Sequence, residues 1–207
     1  MAELYTTIER EAVAEFEEKR SVFIGHALPV KTEEEAAAFI KELKNKYRDA
    51  THNVFAYVLG DGTVQRYSDD GEPQGTAGMP VLDVIRKSGC TDTAVVVTRY
   101  FGGTLLGAGG LVRAYSHAAK LALDEAHVIT YEKYVVLKLV CSYSDYGKNI
   151  SETERFGLIN DGVDFAENVT LNLAVKSTRL SEFEKLISDS SNGKLVPEKV
   201  GERFDYR

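Results

Sequence analysis

TAVVVTRYFGGTLLGAGGLVRAYSHAA, residues 93–119, carries three signals in succession. Thr93–Thr98 is a short, continuously apolar and β-branched run, the pattern of a strand buried on both faces. Gly102, Gly103, Gly107, Gly109 and Gly110 then punctuate a turn. Beyond them Leu111, Tyr115, Ala118, Ala119 and Leu123 recur at helical spacing, which predicts a helix from about Gly110 to Ala126. A buried strand feeding through a glycine-rich turn into an amphipathic helix requires sheet and helix to pack as layers of one core.

Upstream of that stretch, Glu11–Lys19 and Arg20–Val30 read as strands, with Pro29 stopping the second. Thr32 stands where a helix N-cap belongs, Glu35 follows three residues later, and Ala36, Phe39, Ile40, Leu43 and Tyr47 define an amphipathic helix over 33–47. Asn53–Leu59 and Thr63–Ser68 flank Gly60-Asp61-Gly62, a hairpin signal. Thr76–Lys87 reads as a helix ended by Gly89. Eleven of the 17 glycines lie between Gly60 and Gly110, so this middle stretch is built of tight turns and close backbone approaches.

Downstream, from Tyr131, the pattern restarts. Strand Tyr134–Cys141, helix Ser144–Phe156, strands Leu158–Phe165 and Val169–Lys176, helix Leu180–Ser188 and strand Leu195–Arg203 spell βαββαβ, the ferredoxin-like split βαβ order. The predicted fold is α+β in two domains, residues 1–130 and 131–207, with separate cores and a protease-sensitive junction near Thr130.

Composition narrows the classes of function. The 207 residues are 43% hydrophobic and carry a net charge of −7, which fits a soluble globular chain and excludes wholesale disorder. Neither half is basic, which weighs against binding nucleic acid by a wide field but leaves a local patch open. Two cysteines, Cys90 and Cys141, without metal-type spacing, fit a reducing compartment and exclude a disulfide scaffold. No apolar run spans a bilayer and the N-terminus lacks an apolar signal core, so the expected location is the cytoplasm, with no membrane partner. No cofactor and no metal site are expected, and the chain is treated as a monomer.

Two stretches hold candidate chemistry. In Arg66–Pro80, Asp69, Asp70 and Glu72 sit on a loop with Arg66 and Thr76. They could hold a hard cation or supply a general base, or serve only as turn residues. Added calcium or magnesium is expected not to raise the melting temperature. In Thr98–Tyr115, backbone N–H groups at a helix start could hold an anion with Arg99 and Arg113. Tyr100, Phe101 and Tyr115 could stack on a base; a close strand–helix crossing is the plain alternative. The loop is neither a Walker A nor a dinucleotide fingerprint. His26, His52 and His117 show no metal or triad spacing and read as structural or solvated. Ser68 and Ser116 lack a hydrolase context, and Cys90 reads as a small packing residue.

Four strings, RSVFIGHALPV (20–30), THNVFAYVLG (51–60), QRYSDDGEPQGTAGMP (65–80) and VVVTRYFGGTLLGAGGLVRAYSHAA (95–119), resemble the IMPACT family and, within it, its YigZ-like bacterial branch. The resemblance covers residues 20–120 strongly and the whole chain in length and domain order. It implies a first domain similar to the second domain of ribosomal protein S5 and a second similar to the C-terminal domain of elongation factor G. Eukaryotic relatives carry a further N-terminal RWD domain and restrain a translation-control kinase by competing for its activator.

The expected function is therefore a non-enzymatic cytoplasmic regulator or accessory factor contacting RNA, the ribosome or translation factors. The alternative is an enzyme or sensor that takes a small phosphate-bearing ligand at the two glycine-rich loops. Candidate binding residues are Arg66, Asp69, Asp70, Glu72, Thr76, Arg99, Tyr100, Gly102, Gly103, Gly107, Gly109, Gly110 and Arg113, with no catalytic set assigned. The two loops are expected to meet and to bring Arg66, Arg99 and Arg113 together beside a helix start. Gly109→Val is expected to damage folding through positive φ or close packing.

Overall fold

The computed structural model describes residues 3–206, and the chain divides after Thr130. Tyr5–Thr130 forms one unit; Tyr131–Arg207, with the segment preceding Tyr5, forms the other. The chain is a two-domain α+β protein. Its elements run β1 (Leu4–Ile8), β2 (Ala12–Glu18), β3 (Ser21–Pro29), α1 (Glu33–Lys46), β4 (His52–Leu59), β5 (Val64–Ser68), α2 (Gly78–Lys87), β6 (Thr93–Tyr100) and α3 (Ala108–Glu125). Then follow β7 (Val128–Cys141), α4 (Tyr143–Phe156), β8 (Ile159–Phe165), β9 (Val169–Lys176), α5 (Leu180–Ser191) and β10 (Glu198–Asp205).

In the first unit the sheet order is β2-β3-β6-β4-β5, and each neighbouring pair is antiparallel. The period-2 alternation of strands assigns the two faces. Val95 and Val97 of β6, with Val54, Ala56 and Val58 of β4, pack with α2 and α3. Ala94, Val96, Tyr57 and Leu59 point the other way and pack with Phe39, Ile40 and Leu43 of α1. The central strand β6 is thus sandwiched between helices, which is why it reads as an unbroken apolar run rather than an alternating one. Thr32 caps α1 by accepting from Glu35 N–H at 3.2 Å, and Glu35 Oε2 reaches back to Lys31 N–H at 2.6 Å. The outermost strand, β2, pairs only with β3 and turns Glu15, Glu17 and Glu18 to solvent.

His26 of β3 lies on the α1 side, 2% exposed, with its ring 5.2 Å from that of Tyr47 and no partner for Nε2. Burial, and secondarily the charge of Lys46, lowers its pKa from 6.5 to about 4. Between those pH values the unfolded chain binds a proton that the folded chain refuses. This contribution to stability is therefore complete above pH 6.5 and drains away as pH falls toward 4. We expect the parent to lose about 2 kcal/mol more than His26→Phe between pH 7 and pH 4.5 in urea denaturation. Equal losses would remove His26 from the account.

In the second unit the sheet runs β10-β7-β9-β8, all antiparallel, the arrangement of the βαββαβ unit. Leu137, Leu139, Leu171 and Leu173 meet Phe183 and Ile187 of α5 and Phe156 of α4 in its core.

Candidate functional site: a cleft where two glycine-rich loops meet

Alternation along β6 makes Arg99 the next residue after Val95 and Val97 on the side of α2 and α3. Antiparallel register sets it opposite His52 of β4 and Phe23 of β3. A guanidinium at the end of a sheet, 5% exposed, needs a counter-charge. The loop after β5 supplies it. Arg99 Nη1 donates to Glu72 Oε1 at 2.5 Å, and Tyr115 of α3 donates its hydroxyl to the same oxygen at 2.8 Å. Burial and then the negative charge of Glu72 push the Tyr115 phenol far up, so it stays a donor. Arg99 Nη2 lies 3.4 Å from Ser21 Oγ, its plane is flanked by Phe23 and Phe101 at 5.4 and 5.5 Å, and its Nε finds no acceptor. His52 donates Nδ1–H to the Asp70 carbonyl at 2.8 Å and turns Nε2 toward Glu72 Oε1 at 3.8 Å.

Over this floor opens a cleft of about 400 Å³ whose walls include Phe101, Leu105, Gly107 and Ala108. Phe101 is 45% exposed there. The 18-residue helix α3 begins at its edge: Gly107, at φ +71, is the N-cap and accepts from Leu111 N–H at 2.9 Å. No side chain caps this terminus and its first turn holds no acid. The N–H groups of that turn have no partner within the helix, and the positive end of its dipole faces the cleft. The neighbouring helix α2 is treated differently. Asp69 closes its start by accepting from the N–H groups of Gly75, Ala77 and Gly78 at 2.9, 3.1 and 2.8 Å.

The two loops do meet, but the three acids diverge and the three arginines stay apart. Asp69 caps α2. Asp70, at φ +47, accepts from Lys44 Nζ and Asn53 N–H, both at 2.6 Å. Glu72 alone reaches the cleft. Among the described residues no three carboxylate, imidazole or thiol groups converge as a metal site requires. Arg99 lines the cleft, Arg113 borders a smaller one of about 230 Å³ with Phe16 and Lys19, and Arg66 borders a third beside α1. The expected cluster of Arg66, Arg99 and Arg113 is therefore corrected: a helix face and an edge strand carry two of them elsewhere. Tyr100 points to the α1 side, away from the cleft, and donates to Asp49 at 3.1 Å, and Tyr115 is fully buried; of the three rings Phe101 is the one that lines the cleft exposed. Thr76 donates to the Pro73 carbonyl at 2.6 Å and holds the turn.

The glycines serve different ends. Gly103 and Gly107 adopt left-handed φ. A Cβ on Gly110 would meet Leu106 Cβ at 2.9 Å, and one on Gly102 would lie 2.0 Å from the Arg20 carbonyl. Gly109 has neither constraint: its φ is not left-handed and nothing lies within 4 Å of a Cβ there. The expectation that Gly109 is structurally required is overturned, because it stands on the exposed first turn of α3. The sequence also hid His52 and Tyr115 as parts of this floor, since only strand register and helix packing bring them to Glu72.

Residues 19–123, which contain every group of the cleft, match the Impact N-terminal domain, and residues 139–194 match a domain of unknown function, DUF1949. Over 195 residues the chain is 36% identical to the IMPACT family member YvyE of Bacillus subtilis, covering 94% of this chain and 90% of that one. The chain belongs to the IMPACT family. YigZ of Escherichia coli, another IMPACT family member, is 34% identical over 86% of this chain and 88% of its own. The IMPACT homolog of Dictyostelium discoideum is 36% identical across 112 residues, 52% of this chain and 31% of that protein. A solved structure described as a crystal structure of a hypothetical protein superposes with a TM-score of 0.61 at 30% identity, covering 97% of this chain and 99% of that one. Among the described residues no helix of this IMPACT-family chain is long and apolar enough to cross a membrane.

Proposed function

We propose that this IMPACT-family protein is a cytoplasmic regulator without a chemical step of its own, which contacts RNA or the translation machinery through the Glu72–Arg99 cleft. The observation that carries the reading is the bare start of α3, whose first turn opens beside a half-exposed Phe101. Unbonded N–H groups at a helix start favour a phosphate, and an exposed aromatic face favours a base beside it. Gly109 supports this reading, since a glycine there weakens the helix relative to alanine and leaves the turn open to close approach. On the floor Glu72 is held by Arg99 and Tyr115 and is not free to act as a base. The resemblance to eukaryotic IMPACT proteins, which act on translation control, agrees with the choice of partner.

Because Glu72 offsets Arg99, the attraction comes from a few close contacts, and binding falls only gently with salt. Ala108→Asp tests this. A carboxylate on the exposed first turn stabilises α3 by about 0.3–1 kcal/mol and repels a phosphate from the same N–H groups. Fluorescence anisotropy with labelled single-stranded RNA, and sedimentation with ribosomal particles, should show binding at least tenfold weaker in Ala108→Asp at equal or higher melting temperature. Unchanged binding by this variant, or no binding by the parent to either, rejects the proposal. The apolar wall made by Leu106 and Leu111 favours the second reading, a small phosphate-bearing ligand, and isothermal titration of the parent and of Ala108→Asp with mononucleotides separates the two, since only a ligand at this cleft is weakened by the added carboxylate.

A further inference from the structure

On the opposite side of the first unit's sheet, α1 and the β4–β5 pair flank a separate open cleft of about 540 Å³. Its apolar floor is Ile40, Phe55 and Tyr57, and its cations are Lys41, Lys44 and Arg66. Register places Arg66 directly opposite Tyr57. No carboxylate lines it. Lys44 spends its charge on Asp70 at 2.6 Å while lying 5.8 Å over the Phe55 ring, and the Tyr57 hydroxyl is engaged with Glu33 at 2.9 Å. Arg66 makes only a local bond, Nη1–H to the Gln65 carbonyl at 3.0 Å. Among the described residues Lys41 has no ion-pair or hydrogen-bond partner.

Lys41 and Arg66, neither of them in an ion pair among the described residues, therefore flank an aromatic floor in a domain that is otherwise acidic, with Glu33 held at the Tyr57 hydroxyl. A cleft of this volume suits a small organic ligand. We propose that it is a nucleotide site, with a base packed on Phe55 and Tyr57 and a phosphate taken by Lys41 and Arg66. The charge count selects this ligand. A phosphate monoester carries about −1.5 to −2 at neutral pH, which matches the two free cations, and a guanidinium binds phosphate bidentately. A heterocycle matches the aromatic floor and the neighbouring cations. The site shares no residue with the Glu72–Arg99 cleft and stands or falls without it.

The test is a ¹⁵N-resolved NMR titration of the full chain with adenosine monophosphate, with a 5′-phosphorylated single-stranded octaribonucleotide, and with hexaglutamate. Amide shifts should centre on Lys41, Phe55 and Arg66. Lys41→Glu/Arg66→Glu, a surface double variant whose fold is checked by its melting temperature, should weaken binding of the monophosphate at least tenfold, whereas Ala108→Asp should leave it unchanged. With shifts at Lys41 and Arg66, tighter binding of the monophosphate assigns a free nucleotide, and tighter binding of the octamer assigns the end of a strand; both support the site. Shifts confined to the start of α3, undiminished binding by the double variant, hexaglutamate binding as tightly as either nucleotide, or no binding at millimolar concentration overturns it.

Discussion

Glu72→Ala is expected to destabilise the first domain by about 3–5 kcal/mol, because it leaves the Arg99 guanidinium buried without a counter-charge. Arg99 is 5% exposed and already has one unpaired N–H, and the Tyr115 hydroxyl loses its acceptor in the same substitution. The loss should be far larger than for an exposed pair such as Lys120–Asp124, where solvent takes over the released charge. Charge, not volume, is the cause, so Glu72→Leu combined with Arg99→Met should recover most of the lost stability. Urea denaturation of the two single variants and the double variant gives the coupling. Additive losses would show that Glu72 and Arg99 act independently and that the pair does not hold the loops together.

Gly102→Ala is expected to cost about 3 kcal/mol or more, the upper end of overpacking, because the obstruction is backbone. A Cβ at this position would lie 2.0 Å from the Arg20 carbonyl group and 2.4 Å from Ser21 N. Neither can rotate away as a side-chain end could. Displacement would also break the 3.1 Å bond from Gly102 N–H to Ser21 Oγ, the hydroxyl that faces Arg99 Nη2. The damage should therefore reach the cleft, and a melting curve together with the chemical shifts of Ser21 and Arg99 would record both effects. A variant with parental stability and unmoved Ser21 would contradict the packing at this crossing.

These two residues show what a linear reading can reach. The α1 cap was legible because Thr32, Glu35 and the helix they close lie within one turn of chain. The β6 run was legible because burial on both faces leaves its mark in every consecutive residue. The site was legible only as two loops. Asp69, Asp70 and Glu72 are neighbours in sequence, yet the left-handed backbone at Asp70 sends them to a helix start, to Lys44 and to Arg99. His52 joins Arg99 through strand register, a relation fixed by the sheet and not by either residue's neighbours. Gly102 and Gly109 carry the same letter seven positions apart. Only the approach of a second chain segment distinguishes the one that packs from the one that stands open.

The acidic outer strand β2 has a consequence for the behaviour of the protein in solution. An edge strand offers unpaired backbone groups to any other strand, and charged side chains are a common guard against such recruitment. Here Glu15, Glu17 and Glu18 provide that guard, with no lysine or arginine within the strand to take over. A second copy approaching along this edge would set three carboxylates against three of its own, so the strand that could recruit a neighbour is the one whose side chains turn it away.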